Sequence, residues 1–108
     1  MTRTKSNGAD LAVATVRQML KAYTANHSGA KTDVYRYNDS CIRVRIIDPG
    51  FAGLDRIERH DLIWTLLEEL PEDVMTQVTL LVLLVPSEVK TSLGNLEFSN
   101  PSPPLGVL

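Results

Sequence analysis

Cysteine is almost absent from this sequence, since Cys41 is the only one in 108 residues. A single thiol excludes an internal disulfide, and it also excludes a metal site made only of cysteines from one chain. Any metal bound by this protein must therefore use other ligand types or ligands from a second molecule.

Long hydrophobic runs are absent as well. The longest apolar stretch covers residues 78–85 and contains Thr79, whereas a helix that spans a membrane needs about 20 apolar residues. Arg3 and Lys5 near the start of the chain are not followed by the uniformly apolar segment of a secretory signal. We therefore expect no membrane association and a cytoplasmic location.

The charges show no strong excess of either sign. Thirteen acidic and eleven basic residues give a net charge of −2, far from the basic balance that holds a phosphate backbone by electrostatics alone. The composition therefore does not favour a nucleic-acid partner. The length suits a single domain. We assign residues 10–90 to that domain, residues 1–9 to a flexible N-terminus and residues 91–108 to a Pro-rich tail.

The spacing of apolar residues predicts the element order helix, strand, strand, helix, strand. Asp10 is a suitable N-cap for the first helix. Two strands over residues 32–38 and 41–47 are separated by a short polar turn, which is typical of a hairpin. The apolar face of the first helix consists of Val13, Val16, Leu20 and Tyr23.

A second helix is expected to begin near Asp55, where Asp55 and Glu58 form a capping-box pattern, and to end before Pro71. A third strand over residues 76–85 follows, and it is apolar on both faces. The expected buried stripe of the second helix is Ile57, Ile63, Trp64, Leu66, Leu67 and Leu70.

The chain passes from the second strand to the third through a helix, so these two strands should be parallel, with both helices on one face of the sheet. The expected fold class is therefore α+β: a single domain with a three-stranded mixed sheet and two helices packed on one face.

The other face of this sheet is expected to combine charge with apolar surface. Alternation places Arg43 and Arg45 there, and we expect Leu81 and Leu83 beside them. Exposed apolar surface of this kind usually has a cover. The cover is either a second chain, giving a homodimer through strand three, or the tail residues Leu93, Leu96 and Phe98.

Two side chains are candidates for metal or redox chemistry. His60, near the start of the second helix, is either a half-buried structural histidine or a metal ligand. Cys41 is either a small residue that fills the edge of the hairpin or a ligand or redox group. No motif brings a nucleophile, a base and an oxyanion site together, so we expect no enzyme activity.

Gly50 and Gly53 match the Gly-x-x-Gly loop with which KH domains hold a nucleotide backbone, but the two residues between them are apolar rather than basic. A tight turn between strand and helix is the preferred interpretation of this pair. Arg36, together with Arg43 and Arg45, predicts a small basic patch on the sheet, which is usually a solvated face and occasionally an anion or partner site.

The segment from residue 42 to residue 64 resembles the BolA family. In that family a strand leads into a Phe-x-Gly corner, an Arg-His pair and then an aliphatic and aromatic pair within a helix. Residues 86–89 are similar to the segment that follows the family's last strand, so the likeness covers roughly residues 32–89. The matching positions at the corner and in the helix are Phe51 and Gly53, Arg59 and His60, and Ile63 and Trp64.

The resemblance implies an α-β-β-α-β fold, similar to class II KH domains, in a small regulatory or assembly protein without enzyme activity. Its partners would be monothiol glutaredoxins, with which it would share a bridging two-iron, two-sulfur cluster. Carried over, the family's histidine ligand is His60, and its second ligand falls near Cys41. The expected binding residues are Arg59, from the family's Arg-His pair, and Arg43, Arg45, Leu81 and Leu83, from the open face of the sheet.

Overall fold

The computed structural model describes residues 10–101. The predicted flexible N-terminus over residues 1–9, and the end of the chain from residue 102, lie outside this described part. Within residues 10–101 no helix has the length and apolar character needed to cross a membrane. In chain order the elements are α1 (Leu11–Ala25), β1 (Lys31–Asn38), β2 (Cys41–Ile47), α2 (Arg56–Leu67), α3 (Glu72–Met75), β3 (Val78–Leu84) and α4 (Leu93–Ser99).

The three strands form one mixed sheet in the order β1-β2-β3. β1 and β2 are antiparallel, as a short hairpin turn requires. β2 and β3 are parallel, because the helical segment between them returns the chain to the end of the sheet where β2 began. The predicted α+β class with a three-stranded mixed sheet is confirmed.

The N-cap residue Asp10 explains where α1 begins. The Asp10 side chain accepts a hydrogen bond from the backbone N–H of Val13 at 3.1 Å, which satisfies one of the free amides of the first turn. The helix buries the face that the spacing predicted, consisting of Val13, Val16, Leu20 and Tyr23.

α2 also begins as predicted, with both hydrogen bonds of the capping box between Asp55 and Glu58. It buries Ile63 and Leu67 completely, but Ile57 is 71% exposed, so its place in the buried stripe was wrong. The spacing between Ile57 and Ile63 places their side chains about 120° apart around the axis of a regular helix. It therefore points away from the core.

The main core lies between the sheet and the helices α1 and α2. Ile42, Val44 and Ile46 of β2 each have 0% exposed surface, and they share one face because side chains alternate along a strand. α1 and α2 pack their buried residues against this face. Burial of one such side chain stabilises the fold by about 1.5–3 kcal/mol.

The pairing between β2 and β3 contains a one-residue irregularity. Ile42 pairs with Val78, but the next residue, Arg43, pairs with Leu80, so Thr79 is left over. One extra residue in a strand moves every later side chain to the opposite face of the sheet.

This irregularity corrects the prediction for two site residues. Leu81 and Leu83 do not share a face with the arginines of β2, because their side chains pack against the main core instead. The face that carries the arginines is completed by Leu80, Val82 and Leu84.

α4 covers this second face of the sheet. Its Phe98 side chain is 5% exposed and packs against apolar residues of β3. The structure therefore differs from the predicted tail over residues 91–108, since residues 93–99 form a helix that belongs to the domain. Phe98 provides the expected cover, whereas Leu93 and Leu96 are 82% and 59% exposed.

The corner between β2 and α2 is built on a buried carboxylate. Asp48 is 2% exposed; it accepts hydrogen bonds from the Tyr23 hydroxyl and, at 2.8 Å, from the backbone N–H of Gly50. Burial, and then the neighbouring carboxylate, raise the pKa of Tyr23, so the hydroxyl stays a donor. Gly53 has φ of 85°, a conformation that favours glycine, which supports the interpretation of this segment as a tight turn.

A first prediction concerns Asp10, which also pairs with Arg36, at 3.0 Å between Oδ1 and Nη2. This pairing lowers the pKa of Asp10, so the stabilisation is complete above the ordinary aspartate pKa of about 3.9 and is lost as the pH falls through the lower folded value. Asp10→Asn keeps an N-cap but removes the ion pair, so we expect a loss of about 1 kcal/mol at neutral pH.

Asp10→Ala should cost about 1 kcal/mol more than Asp10→Asn, because it also removes the cap. Urea titrations at pH 7 and at pH 3 measure both effects, and the two variants should lose less stability than the parent protein on acidification. Equal stabilities of parent and Asp10→Asn at pH 7 would contradict the role given to the ion pair.

Candidate functional site

The arginines predicted to form an open basic patch are used inside the domain. Arg43 lies 3.0 Å from Glu97 in α4, and its guanidinium lies 3.7 Å from the centre of the Tyr37 ring. Arg45 pairs with Asp33 at 2.7 Å. These contacts neutralise the positive charge and cover the face, so it offers no open phosphate site.

The same arginines attach α4 to the sheet. Arg45 donates to the Asn95 side chain at 2.9 Å, and its guanidinium lies 4.7 Å from the centre of the Phe98 ring. The Tyr35 hydroxyl donates to the Phe98 carbonyl at 2.7 Å. Polar contacts at both ends of α4 therefore surround its one buried aromatic ring. The predicted binding residues Arg43 and Arg45 link α4 to the sheet.

Arg59 has a comparable internal position. Its side chain is 12% exposed and lies 2.6 Å from Glu88. It also donates to two backbone carbonyls, that of Leu54 at 3.0 Å and that of Leu83 at 3.1 Å. The Arg59 guanidinium thus connects α2, the end of β3 and the turn that follows β3.

His60, the predicted metal ligand, is exposed on α2. Its ring stacks on Trp64 with 5.9 Å between the ring centres, and it makes no hydrogen bond with any residue in the range 10–101. The alternative of a half-buried histidine bonded to a backbone carbonyl is therefore not what the structure contains. An exposed imidazole of this kind is accessible to a ligand from another molecule.

Cys41, the second predicted ligand, lies on the other side of the sheet. It alternates with Ile42 and so shares the face of Arg43, whereas α2 and His60 lie beyond the opposite face. Hydrogen bonds, first that of Thr79, lower the pKa of the Cys41 thiol. The structure does not bring Cys41 and His60 together, so the two do not fit one cluster site within a single chain.

No other grouping replaces this pair as a metal centre. Among residues 10–101, no cluster of three or more His, Cys, Asp or Glu side chains has an arrangement that could hold a metal ion.

A groove of about 780 Å³ lies along the outer edge of β3. We name it the β3 edge groove. It lies between the start of α2, which contributes Arg56 and Arg59, and the segment leading into α4, which contributes Leu93. Five successive residues of β3, from Leu80 to Leu84, line the groove.

No other strand pairs with β3 along this groove, since β2 is its one neighbour in the sheet of the described chain. The Leu84 carbonyl points toward β2 and accepts a hydrogen bond from the Asp48 N–H at 2.8 Å. Successive residues of a strand direct their N–H and C=O groups to opposite sides. The polar groups of Leu81 and Leu83 therefore point into the groove, and those of Leu81 have no partner among residues 10–101.

Leu81 and Leu83 thus belong to the candidate site through their backbone rather than their side chains. The sequence carried one signal of this edge, the lack of any charge or proline in β3, where edge strands usually have such residues to prevent pairing. The groove itself could not be predicted, because it depends on where α2 and α4 pack beside the strand.

Comparison with known proteins gives no relative. No family model matches the chain, and no match was found among curated proteins or among solved structures. The resemblance to the BolA family therefore remains a sequence-based prediction.

A second prediction tests how α4 is held. Phe98→Ala removes the buried ring of this helix, so we expect a loss of about 3 kcal/mol in unfolding free energy and faster amide hydrogen exchange in α4. Leu96→Ala is the matched control, because this side chain is exposed and should change stability by less than about 0.5 kcal/mol. Similar losses for the two variants would show that Phe98 does not anchor α4.

Proposed function

We propose that this protein is a small, non-enzymatic interaction module that self-associates along the edge of β3. The observation that carries the proposal is the apolar strand β3, whose Leu81 backbone groups are unpaired within the described chain and face an open groove. An edge of this kind is a template for another strand. A partner strand would satisfy its backbone groups and cover its apolar surroundings.

A second copy of the chain suits this edge because the edge is self-complementary. With a two-fold axis beside Leu81, two β3 strands run antiparallel and each Leu81 N–H faces the Leu81 carbonyl of the other copy. The two sheets then become one continuous sheet. Leu93, which is 82% exposed at the rim of the groove, would be covered in the same step.

The uses of the charged side chains support an interaction role rather than catalysis. Asp48 accepts hydrogen bonds within the corner between β2 and α2. Arg43, Arg45 and Arg59 form ion pairs within the domain. A catalytic group needs a free position beside a substrate. In the β3 edge groove, Arg59 and Glu88 are paired with each other, and the backbone and apolar groups of β3 lie beside them.

The third prediction compares two exposed leucines of the same helix. Leu93→Asp places a charge at the rim of the groove and should weaken dimerisation at least about tenfold. Leu96→Asp alters a leucine that does not line the groove, so it should leave the dimer unchanged. Sedimentation velocity over a range of concentrations measures both.

The proposal fails if the parent protein stays monomeric up to millimolar concentration. It also fails if the two leucine variants affect the dimer equally, because the groove would then have no special part in association. Circular dichroism of each variant establishes that the fold is retained.

A second candidate function is the sharing of an iron–sulfur cluster with a monothiol glutaredoxin, as the resemblance implies. The exposed, unbonded ring of His60 supports it. His60 would supply one ligand and the remaining ligands would come from the partner, because Cys41 lies beyond the opposite face of the sheet.

The fourth prediction tests this candidate by mixing the protein with a monothiol glutaredoxin, iron and sulfide, and recording the visible absorption of the complex. His60→Ala should abolish the colour of the complex, while His27→Ala, the matched histidine control, should retain it. Cys41→Ser should also retain it, given the position of Cys41. Absence of a coloured complex with every glutaredoxin tried would exclude the candidate.

A further inference from the structure

The two outward-facing residues of β3 are not equally accessible. The Leu83 carbonyl already accepts a hydrogen bond from Arg59 Nη1 at 3.1 Å, whereas the backbone groups of Leu81 have no partner among residues 10–101. We infer that Arg59, held in place by Glu88, blocks the Leu83 end of the edge and limits pairing with a second copy to the region of Leu81. We call the Arg59–Glu88 pair the latch. This inference rests on the proposed self-association.

Several contacts fix the latch. Arg59 Nε donates to the Leu54 carbonyl at 3.0 Å, and its Nη1 and Nη2 donate to the two carboxylate oxygens of Glu88 at 2.6 and 3.2 Å. Bidentate pairing of this type is strong and directional. The guanidinium cannot leave the edge without breaking these bonds together.

Glu88 is itself held in position. Its Oε1 accepts a hydrogen bond from the Val85 backbone N–H at 3.0 Å, in the turn that directly follows β3. Arg59 lowers the pKa of Glu88, so the carboxylate keeps its charge at neutral pH. The latch therefore consists of a charged pair anchored on both sides of the end of the strand.

The position of the guanidinium explains how the latch acts. A strand that pairs along the whole of β3 must reach both the N–H and the C=O of Leu83, and the Arg59 side chain lies against that carbonyl. Natural proteins often protect sheet edges with a charged side chain placed there. Arg59 would thus weaken pairing between two copies without abolishing it, because Leu81 stays accessible.

A purely structural role for Arg59 makes a different prediction. If the side chain only joined α2 to the end of β3, its removal would lower thermal stability and leave the dissociation constant of the dimer unchanged. If Arg59 is a latch, its removal lowers that constant, because a further backbone pair becomes available at Leu83. The equilibrium of association therefore separates the two roles.

The fifth prediction uses Arg59→Ala and Glu88→Gln, measured as full-length chains by sedimentation velocity. Arg59→Ala should strengthen the dimer about tenfold, because the two-fold axis makes one further backbone hydrogen bond available at Leu83 of each copy. Glu88→Gln should act in the same direction but less, since it frees Arg59 while an amide oxygen still caps Val85. Arg17→Ala is the control for loss of a positive charge, because Arg17 lies on α1 away from this groove.

Adding Leu93→Asp to Arg59→Ala should weaken the strengthened dimer again. This result would show that the stronger association uses the same groove and is not aggregation of a destabilised protein. If Arg59→Ala does not fold, Glu88→Gln alone decides the question. Unchanged dissociation constants for both latch variants, together with a weaker dimer for Leu93→Asp, overturn the latch and leave the proposed function standing. A dimer that is insensitive to Leu93→Asp in either background overturns both.

Discussion

The register between β2 and β3 is the constraint on which the rest of the structure depends. Thr79 is left over between the pairs of Ile42 with Val78 and Arg43 with Leu80, so the residues from Leu80 to Leu84 lie on the opposite faces from those that alternation counted from Val78 would give. The second face thereby receives Leu80, Val82 and Leu84 beside two arginines. Such a face needs a cover that is both apolar and acidic, and α4 supplies Phe98 for the leucines and Glu97 for Arg43.

Features that depend on neighbours in the sequence could be predicted well. The cap at Asp10, the capping box at Asp55 and the alternation along β2 each follow from a few adjacent residues, and the structure contains all three. The parallel pairing of β2 and β3 was also predictable, because a helical connection between adjacent strands leaves little choice. Ile57 was misplaced because an apolar residue in the first turn was assigned to the stripe without regard to its angle around the helix.

Features that depend on distant contacts could not be predicted. The irregularity at Thr79 is a property of a strand pair, so neither β2 nor β3 reveals it alone. α4 has only seven residues, too few to be stable by itself, and it exists because Phe98, Asn95 and Glu97 find partners in the sheet. The separation of Cys41 from His60 likewise follows from which face of the sheet each one occupies. The arginines looked available in the sequence because their acidic partners lie far away along the chain.

The internal use of these arginines also changes what kind of function the surface can support. Once Arg43, Arg45 and Arg59 serve as cross-links, the β3 edge groove offers for recognition the main-chain groups of Leu81 and the exposed side chain of Leu93. Main-chain groups recognise another strand through its backbone, so they give affinity with little choice of side chain. A fully open apolar edge would risk uncontrolled association. Under the proposed self-association, an edge that is closed at Leu83 and open at Leu81 would have a defined pairing point, which suits a limited, two-fold assembly better than an open-ended one.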